Sequence, residues 1–445
     1  MVAWAQTVFS GWGRVTSGES FAARPERLAE IPRAIAEARD STLIAFGAGR
    51  SYGDAAINSS GRTLITRRLD RFLDFDPNAQ LLTAEPGVTF IDAVRTLLPR
   101  GFMMPVVPGT GFATLGGGVA NDVHGKNHHQ VGSLGQHLEW LDLRLPTGEL
   151  RRISSDHDPE LFQASVGGLG LTGIIERLCV RIIRVPSNAV LVRKRRIAHL
   201  DEFLAAFDAE RDRSPYVVGW IDALATGSSL GRGILETATP AAQSIEFVKR
   251  GTKRVPVDFP GFALNGLSVR AFNAVYRRHV NSAGSQSVCQ YEDFLFPLDA
   301  VHDWNRIYGK RGFRQFQCVV PFERGRQALA QMLEHIAKAN RGSFLAVLKA
   351  MGSAGLGCLS FPMPGYTLAL DFPNEPGVVE FMNKLERIAC EHGGRIYLAK
   401  DSTVGPDDFK RMYPRNEEFA ALLARVDPER RMRSDMSVRL GMRTA

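Results

Sequence analysis

The chain has 445 residues, enough for two or three domains and a large core. Its 44% hydrophobic and 23% charged residues exclude a disordered chain, and only 23 prolines exclude a Pro-rich or fibrous one. The net charge of +8 is modest and spread along the chain. It suits generic solubility and an anionic partner (nucleic acid, anionic lipid or a phosphorylated substrate) equally well. No stretch approaches the roughly 18 apolar residues of a membrane span. Residues 1–15 lack the basic and apolar regions of a signal peptide, so a soluble, cytoplasmic protein is expected. Five scattered cysteines with no CxxC pair indicate neither a disulfide framework nor a zinc knuckle.

In chain order, residues 1–187 are rich in strands and glycine. Short β-branched runs (STLIAFG at 41–47, RTLITR at 62–67, LLTAEPGV at 81–88) alternate with turn signals. Apolar residues at helical spacing predict helices over Pro25–Asp40 and Phe90–Leu98. The composition changes after Pro186, next to the basic cluster Arg193-Lys194-Arg195-Arg196. Over 188–394, helices are predicted at His199–Arg211 and Gly325–Asn340. Strands are predicted at Cys318–Pro321, Ser343–Lys349 and Tyr366–Phe372, the last stopping before Pro373. From Arg395 the tail offers a strand, RIYLAK, and a helix near Glu417–Val426. The whole reads as α+β, without internal repeats.

Three Gly-rich loops punctuate the first 175 residues. The first, Gly47-Ala48-Gly49-Arg50-Ser51-Tyr52-Gly53, follows the apolar run LIAF. Its glycines free a run of backbone N–H groups to converge on a phosphate, although a plain turn explains the loop alone equally well. The spacing GxGxxxG and the poor helix that follows exclude the dinucleotide fingerprint. The second runs from Pro108-Gly109-Thr110 to Thr114-Leu115-Gly116-Gly117-Gly118-Val119-Ala120-Asn121. Three consecutive glycines are costly in regular structure, which suggests a flat ligand against the main chain or a flexible tip. The third, Gly167–Ile175, matches GxGxxG by letter, but a helix precedes it and strands follow, the reverse of a nucleotide turn. Three such loops suit an extended cofactor with a diphosphate and a flat ring. His124 and His128 are four apart, but Gly125 and Asn127 argue against a helix, so no metal is expected.

Several segments in order resemble one known family. They are GRSYGD at 49–54, VPGT at 107–110, DVHGKNHH at 122–129, ELF at 160–162, WIDA at 220–223, DFP at 371–373, AKDS at 399–402, MYPR at 412–415 and SDM at 434–436. Together they resemble the decaprenylphosphoryl-ribose 2′-oxidase family, a branch of the vanillyl-alcohol oxidase superfamily. The resemblance runs over essentially the whole chain. It implies a PCMH-type FAD-binding domain of two α/β subdomains over 1–187 and a substrate domain with a large antiparallel sheet flanked by helices over 188–394. The segment 395–445 would return to the FAD-binding domain. It also implies FAD held non-covalently, since no His stands in GAGRSYGD. The 2′-hydroxyl of a polyprenylphosphoryl ribose would be oxidised to a ketone with hydride passing to flavin N5. A short-chain reductase partner would then complete epimerisation to the arabinose form.

Flavin oxidation of a secondary alcohol needs a carbinol carbon near N5, a group to take the hydroxyl proton, and stabilisation of the reduced ring's charge. The resemblance assigns catalysis to Lys400, Tyr52, Gln317 and His124. A desolvated Lys400 would serve as base, or a charged one would stabilise the alkoxide. It assigns FAD contacts to Gly47, Ala48, Gly49, Arg50, Ser51, Tyr52, Gly53, Gly109, Thr114, Leu115, Gly116, Gly117, Asn121, His124, Ile175 and Tyr397. Substrate contacts fall to Lys126, Gln315, Lys349, Ala369 and Trp220. A cationic His124 or Lys126 could balance the reduced flavin. Gln315 and Gln317 alternate in RQFQCVV and so face one side of a strand. Two positions depart from the family. Ala369 stands where the drug-sensitive member has Cys, so thiol-directed inhibitors should fail, and Asn121 stands where the mycobacterial loop has Cys. The stretch from Lys249 to His279 interleaves Arg250, Lys253, Arg254, Arg270, Arg277 and Arg278 with Phe259, Phe262 and Phe272. It suits a phosphorylated lipid at a membrane face, or a solvated loop; nucleic acid is not expected. The alternatives are an aldonolactone or alditol oxidase of the same superfamily, and a flavin-binding protein without turnover.

Overall fold

A computed structural model describes residues 3–248, 251–261, 264–281 and 283–443. Lys249, Arg250 and Phe262 of the basic stretch lie outside the described residues.

The apolar run Leu43–Phe46 pairs in parallel with Arg62–Ile65, which pairs in parallel with Ser17–Ala23. Ala5–Ser10 completes this four-stranded sheet. A second, five-stranded antiparallel sheet has the order Phe72–Asp76, Leu81–Ala84, Ile174–Arg181, Leu138–Arg144, Leu150–Ile153. The helix Phe90–Leu97 buries Phe90, Ile91, Val94 and Leu97 on one face, and the Thr89 hydroxyl caps it by accepting from the Asp92 N–H.

From Ala189 onward one antiparallel sheet of eight strands dominates. Its order is Ser285–Gln290, Ala189–Ile197, Gly233–Pro240, Tyr216–Ile221, Ala346–Met351, Gly365–Pro373, Phe313–Val320, Arg395–Ile396. The helices Leu200–Glu210, Phe322–Lys338 and Val378–Glu391 pack on it. Phe316, Cys318 and Val320 are buried in the core shared with these helices, while Gln315 and Gln317 point the other way, as period-2 alternation requires. The basic cluster 193–196 is absorbed locally: Lys194 pairs with Glu236 at 2.6 Å, and Arg196 donates to the carbonyls of Arg277, Arg278 and Val280.

The tail touches both halves. Arg395–Ile396 adds to the edge of the large sheet. Beyond it, Leu43 and the segment at 431–433 exchange backbone hydrogen bonds, and the Asp435 carboxylate accepts from the Ser59 N–H at 2.9 Å. Among the described residues no helix is long and apolar enough to cross a membrane.

Three local expectations are corrected. RIYLAK is a strand only over Arg395–Ile396; Tyr397–Lys400 turns, with the Lys400 N–H donating to the Tyr397 carbonyl at 2.9 Å. Pro373 ends its strand from within, opposite Phe313 on the neighbouring strand. The triple glycine is neither a tip nor an irregular loop. Leu115–Ala120 is a short helix capped by Thr114, whose hydroxyl accepts from the Gly117 N–H. A Cβ on Gly116 would lie 2.6 Å from Pro86, and one on Gly118 would lie 2.7 Å from the Phe90 ring. Close packing on the core overrides the poor helix propensity of glycine.

Candidate active site

One cavity of about 460 Å³ lies between the Gly-rich loops and the inner face of the large sheet. Of the residues expected at the site, all but two line it. Leu115 is a core side chain whose N–H donates to the Val88 carbonyl. Trp220 packs edge-on against Tyr276 and donates its indole N–H to the Phe344 carbonyl; Tyr276, not Trp220, reaches the wall. Both corrections have one cause: motif matching gives sequence position but not which way a side chain faces.

One end of the cavity is built for an anion. Gly49 has φ +62°, a left-handed conformation that favours glycine. It bends the loop so that the amides of Ala48, Gly49, Arg50 and Ser51 donate to no acceptor among the described residues. Arg50 lies 4.1 Å from the Trp12 ring and 5.1 Å from the Phe112 ring, with its Nε buried and without a hydrogen-bond partner among the described residues. Its counter-charge is Asp299, which accepts from the Thr110 hydroxyl at 2.9 Å and the Gly111 N–H at 2.7 Å. A run of free amides beside a guanidinium fits a diphosphate. Trp12 and Asp299 carry no motif and were not legible as site residues.

The other end gathers the groups for proton chemistry. The Lys400 Nζ stands 3.8 Å from the centre of the Tyr52 ring. Burial pushes its ammonium down to about 7, Asp371 opposing and Lys349 assisting. Burial likewise brings Lys349 down to about 8. Gln315 donates to Asp371 at 2.5 Å, and Gln317 lies 3.2 Å from the His124 Nε2 and 3.4 Å from the Thr367 hydroxyl. Tyr397 packs its ring 5.3 Å from His124 and donates its hydroxyl to the Asn121 carbonyl.

His124 is not the expected cation. Burial, and then Lys349, His128 and Lys400, hold its imidazole well below the ordinary histidine range, so it is neutral at pH 7. Lys126 is engaged: it donates to the Phe294 carbonyl at 2.5 Å and pairs with Glu236 at 3.5 Å. Lys349 and Lys400 are therefore the lysines facing the cavity with their charge in play. His128 accepts the Gly352 N–H at 2.9 Å, and among the described residues no three His, Cys, Asp or Glu side chains could hold a metal.

Arg439, near the end of the chain, locks the two ends together. Its guanidinium donates to both Asp54 oxygens at 2.8 and 2.9 Å and to Asp401 at 2.9 Å. Asp54 closes the first Gly-rich loop and Asp401 follows Lys400. Within the same joint a Cβ on Gly53 would stand 1.9 Å from the Asp401 carbonyl oxygen, so only glycine lets loop and tail meet.

A family profile described as "FAD binding domain" matches residues 20–154, and one described as "D-arabinono-1,4-lactone oxidase" matches residues 368–440. With the amide cradle and the buried lysine, these matches define a flavoprotein oxidoreductase that uses FAD. Decaprenylphosphoryl-β-D-ribose oxidase of Mycolicibacterium smegmatis is 33% identical over 97% of this chain and 96% of its own length. An uncharacterized protein of Streptomyces coelicolor is 29% identical over 80% of this chain and 100% of its own. The D-arabinono-1,4-lactone oxidase of Eremothecium gossypii is 26% identical over 40% of this chain and 34% of its own. The chain belongs to the decaprenylphosphoryl-β-D-ribose oxidase family.

Proposed function

We propose that this protein oxidises the 2′-hydroxyl of a polyprenylphosphoryl-β-D-ribose to the 2′-ketone. The observation that carries the reading is the near full-length likeness to a relative named for that substrate. When bound, FAD supplies the hydride acceptor. Gly47–Gly53, Gly109, Thr114, Gly116, Gly117, Asn121 and Ile175 would hold it. No histidine stands in the first loop, which supports a non-covalent flavin.

The chain's own residues handle the proton and the position. Neutral Lys400 takes the hydroxyl proton at Nζ as the carbinol C–H bond breaks, and the Tyr52 ring fixes the amine. Gln315 and Gln317 present amides from one strand face to orient the sugar, His124 holds Gln317 as a neutral partner, and Tyr397 buttresses that imidazole. Lys349 supplies positive charge for the substrate's phosphate. Ala369, paired with Gln317 and Val347 on the neighbouring strands, adds a small side chain to the same wall of the cavity.

Three further elements belong to this reading. Residues 1–187 and the tail 395–445 would serve the cofactor and 188–394 the substrate. A short-chain reductase would consume the ketone. The exposed helix Gly266–Arg278 would rest on the membrane that carries the lipid. A second reading, a soluble aldonolactone oxidase, is favoured by the profile match over 368–440 and by the partial likeness to D-arabinono-1,4-lactone oxidases. The product separates them. Incubation with a short-chain prenylphosphoryl ribose should yield a lipid-linked product two hydrogens lighter and reducible by borohydride. Turnover of a free aldonolactone with none of the prenylphosphoryl sugar would favour the second reading.

A further inference from the structure

Asp371 enters none of the steps above, yet it is completely buried in the wall of the site. It stands directly across from Gln315 in the register of the two neighbouring strands, and Gln315 donates to its Oδ1 at 2.5 Å. Its Oδ2 has no hydrogen-bond partner among the described residues. Gln315 faces the large cavity, whereas Asp371 borders a second one of about 260 Å³ with Tyr308, Asn340 and Ser343. The pair thus forms the partition between the two.

We propose that Asp371 is a positioning residue for Lys400: a buried charge, joined to the active cavity through Gln315, that sets when the lysine yields its proton. This inference rests on the reading of Lys400 as the proton acceptor. The groups facing Asp371 can be named. Tyr52 comes from the first Gly-rich loop and hydrogen-bonds Gln315, Tyr308 comes from the short helix at Trp304–Tyr308, and Lys400 comes from the tail turn. Ser343 accepts the Asp371 N–H at 3.0 Å. Lys400 is the cation whose charge acts on Asp371; Arg341 and Glu375 also line the second cavity, and the Arg341 guanidinium donates to the Pro376 carbonyl at 2.9 Å. Burial raises the Asp371 carboxyl to about 7, the same region in which Lys400 titrates. Each group favours the charged form of the other. An ionised Asp371 holds the proton on Lys400, and a protonated or neutral group at that position releases it at lower pH.

The test reads Lys400 directly. The flavin-loaded protein is acylated with a small amine reagent at a series of pH values, and modification of Lys400 is followed by peptide mass spectrometry, with Lys349 as internal reference. In the wild type the Lys400 limb should lie near 7. D371N should move it down by about one unit, roughly a tenfold shift in the proton equilibrium, while D371E should restore it. D371S supplies a second neutral variant if D371N fails to retain FAD. A limb for Lys400 that is unmoved in a neutral variant with an intact flavin spectrum would overturn the proposal. The labelling needs no substrate, so a wild type that fails to turn over prenylphosphoryl ribose would count against the proposed reaction alone.

Discussion

The amine of Lys400 sits over the face of Tyr52, 3.8 Å from the ring centre, and the Tyr52 N–H donates to the carbonyl of Ala399 at 2.9 Å. One contact fixes the side chains and the other the backbones, so the first Gly-rich loop and the tail turn act as one piece. Lys400→Met keeps much of the volume and removes the amine. Flavin reduction by substrate should fall by about 10²–10⁴-fold while FAD stays bound. The wild-type rate should rise with pH through about 7, because the amine accepts a proton only when neutral and burial has brought it down to that range. Stopped-flow absorbance across pH 5–9 measures both; a flat profile in the wild type would remove the amine as base.

Arg439 bridges Asp54 and Asp401, and Asp401 has no exposure. Removing the cation leaves a buried carboxylate without its partner. Arg439→Met should therefore cost about 3–5 kcal/mol in stability and loosen the Lys400 turn, lowering the rate as well. Denaturant unfolding with flavin fluorescence as a second probe measures the loss. A change under ~1 kcal/mol would mean that the clamp is not structural.

None of the five cysteines lines the active cavity, while Ala369 does. Thiol reagents should leave wild-type turnover intact. Ala369→Cys should become sensitive, with labelling of that cysteine blocked by substrate. Inactivation of the wild type at the same rate as the variant would place a reactive thiol elsewhere.

The helix Gly266–Arg278 turns Leu267, Ala271, Ala274 and Val275 outward at helical spacing, with Leu267 81% exposed. Arg270, Arg277 and Arg278 flank this stripe and the helix carries no acidic residue. The protein should sediment with phosphatidylglycerol vesicles and not with phosphatidylcholine, lose that binding in high salt, and lose it on Leu267→Asp with Val275→Asp. Equal binding to both vesicle types, or to neither, would contradict a lipid-facing helix.

Much of the site was legible because its chemistry lies in short local motifs. Gly49 needs its left-handed turn and Gly53 needs contact with the tail, and both needs leave glycine in the sequence. Gln315 and Gln317 could be placed on one face from period 2 alone. Asp371, Asp299 and Arg439 were not legible as parts of the site, since each acts through a partner far away in the chain; Asp54 and Arg439 are 385 residues apart. The same alternation that paired the glutamines places Thr367, Ala369 and Asp371 on one face, a signal that could have found Asp371. The triple glycine misled because local propensity opposes a helix there, while the space beside Pro86 and Phe90 permits nothing larger. RIYLAK misled because an apolar run does not reveal where its chain turns.

The most direct measurement is the absorbance of the flavin on anaerobic mixing with a short-chain prenylphosphoryl-β-D-ribose. Bleaching in a single turnover, with formation of the keto sugar, is the expected result, and Lys400→Met should stay yellow in the same mixture. A wild-type protein that holds FAD and stays yellow with this substrate, yet bleaches with a free aldonolactone, would contradict the proposed reaction.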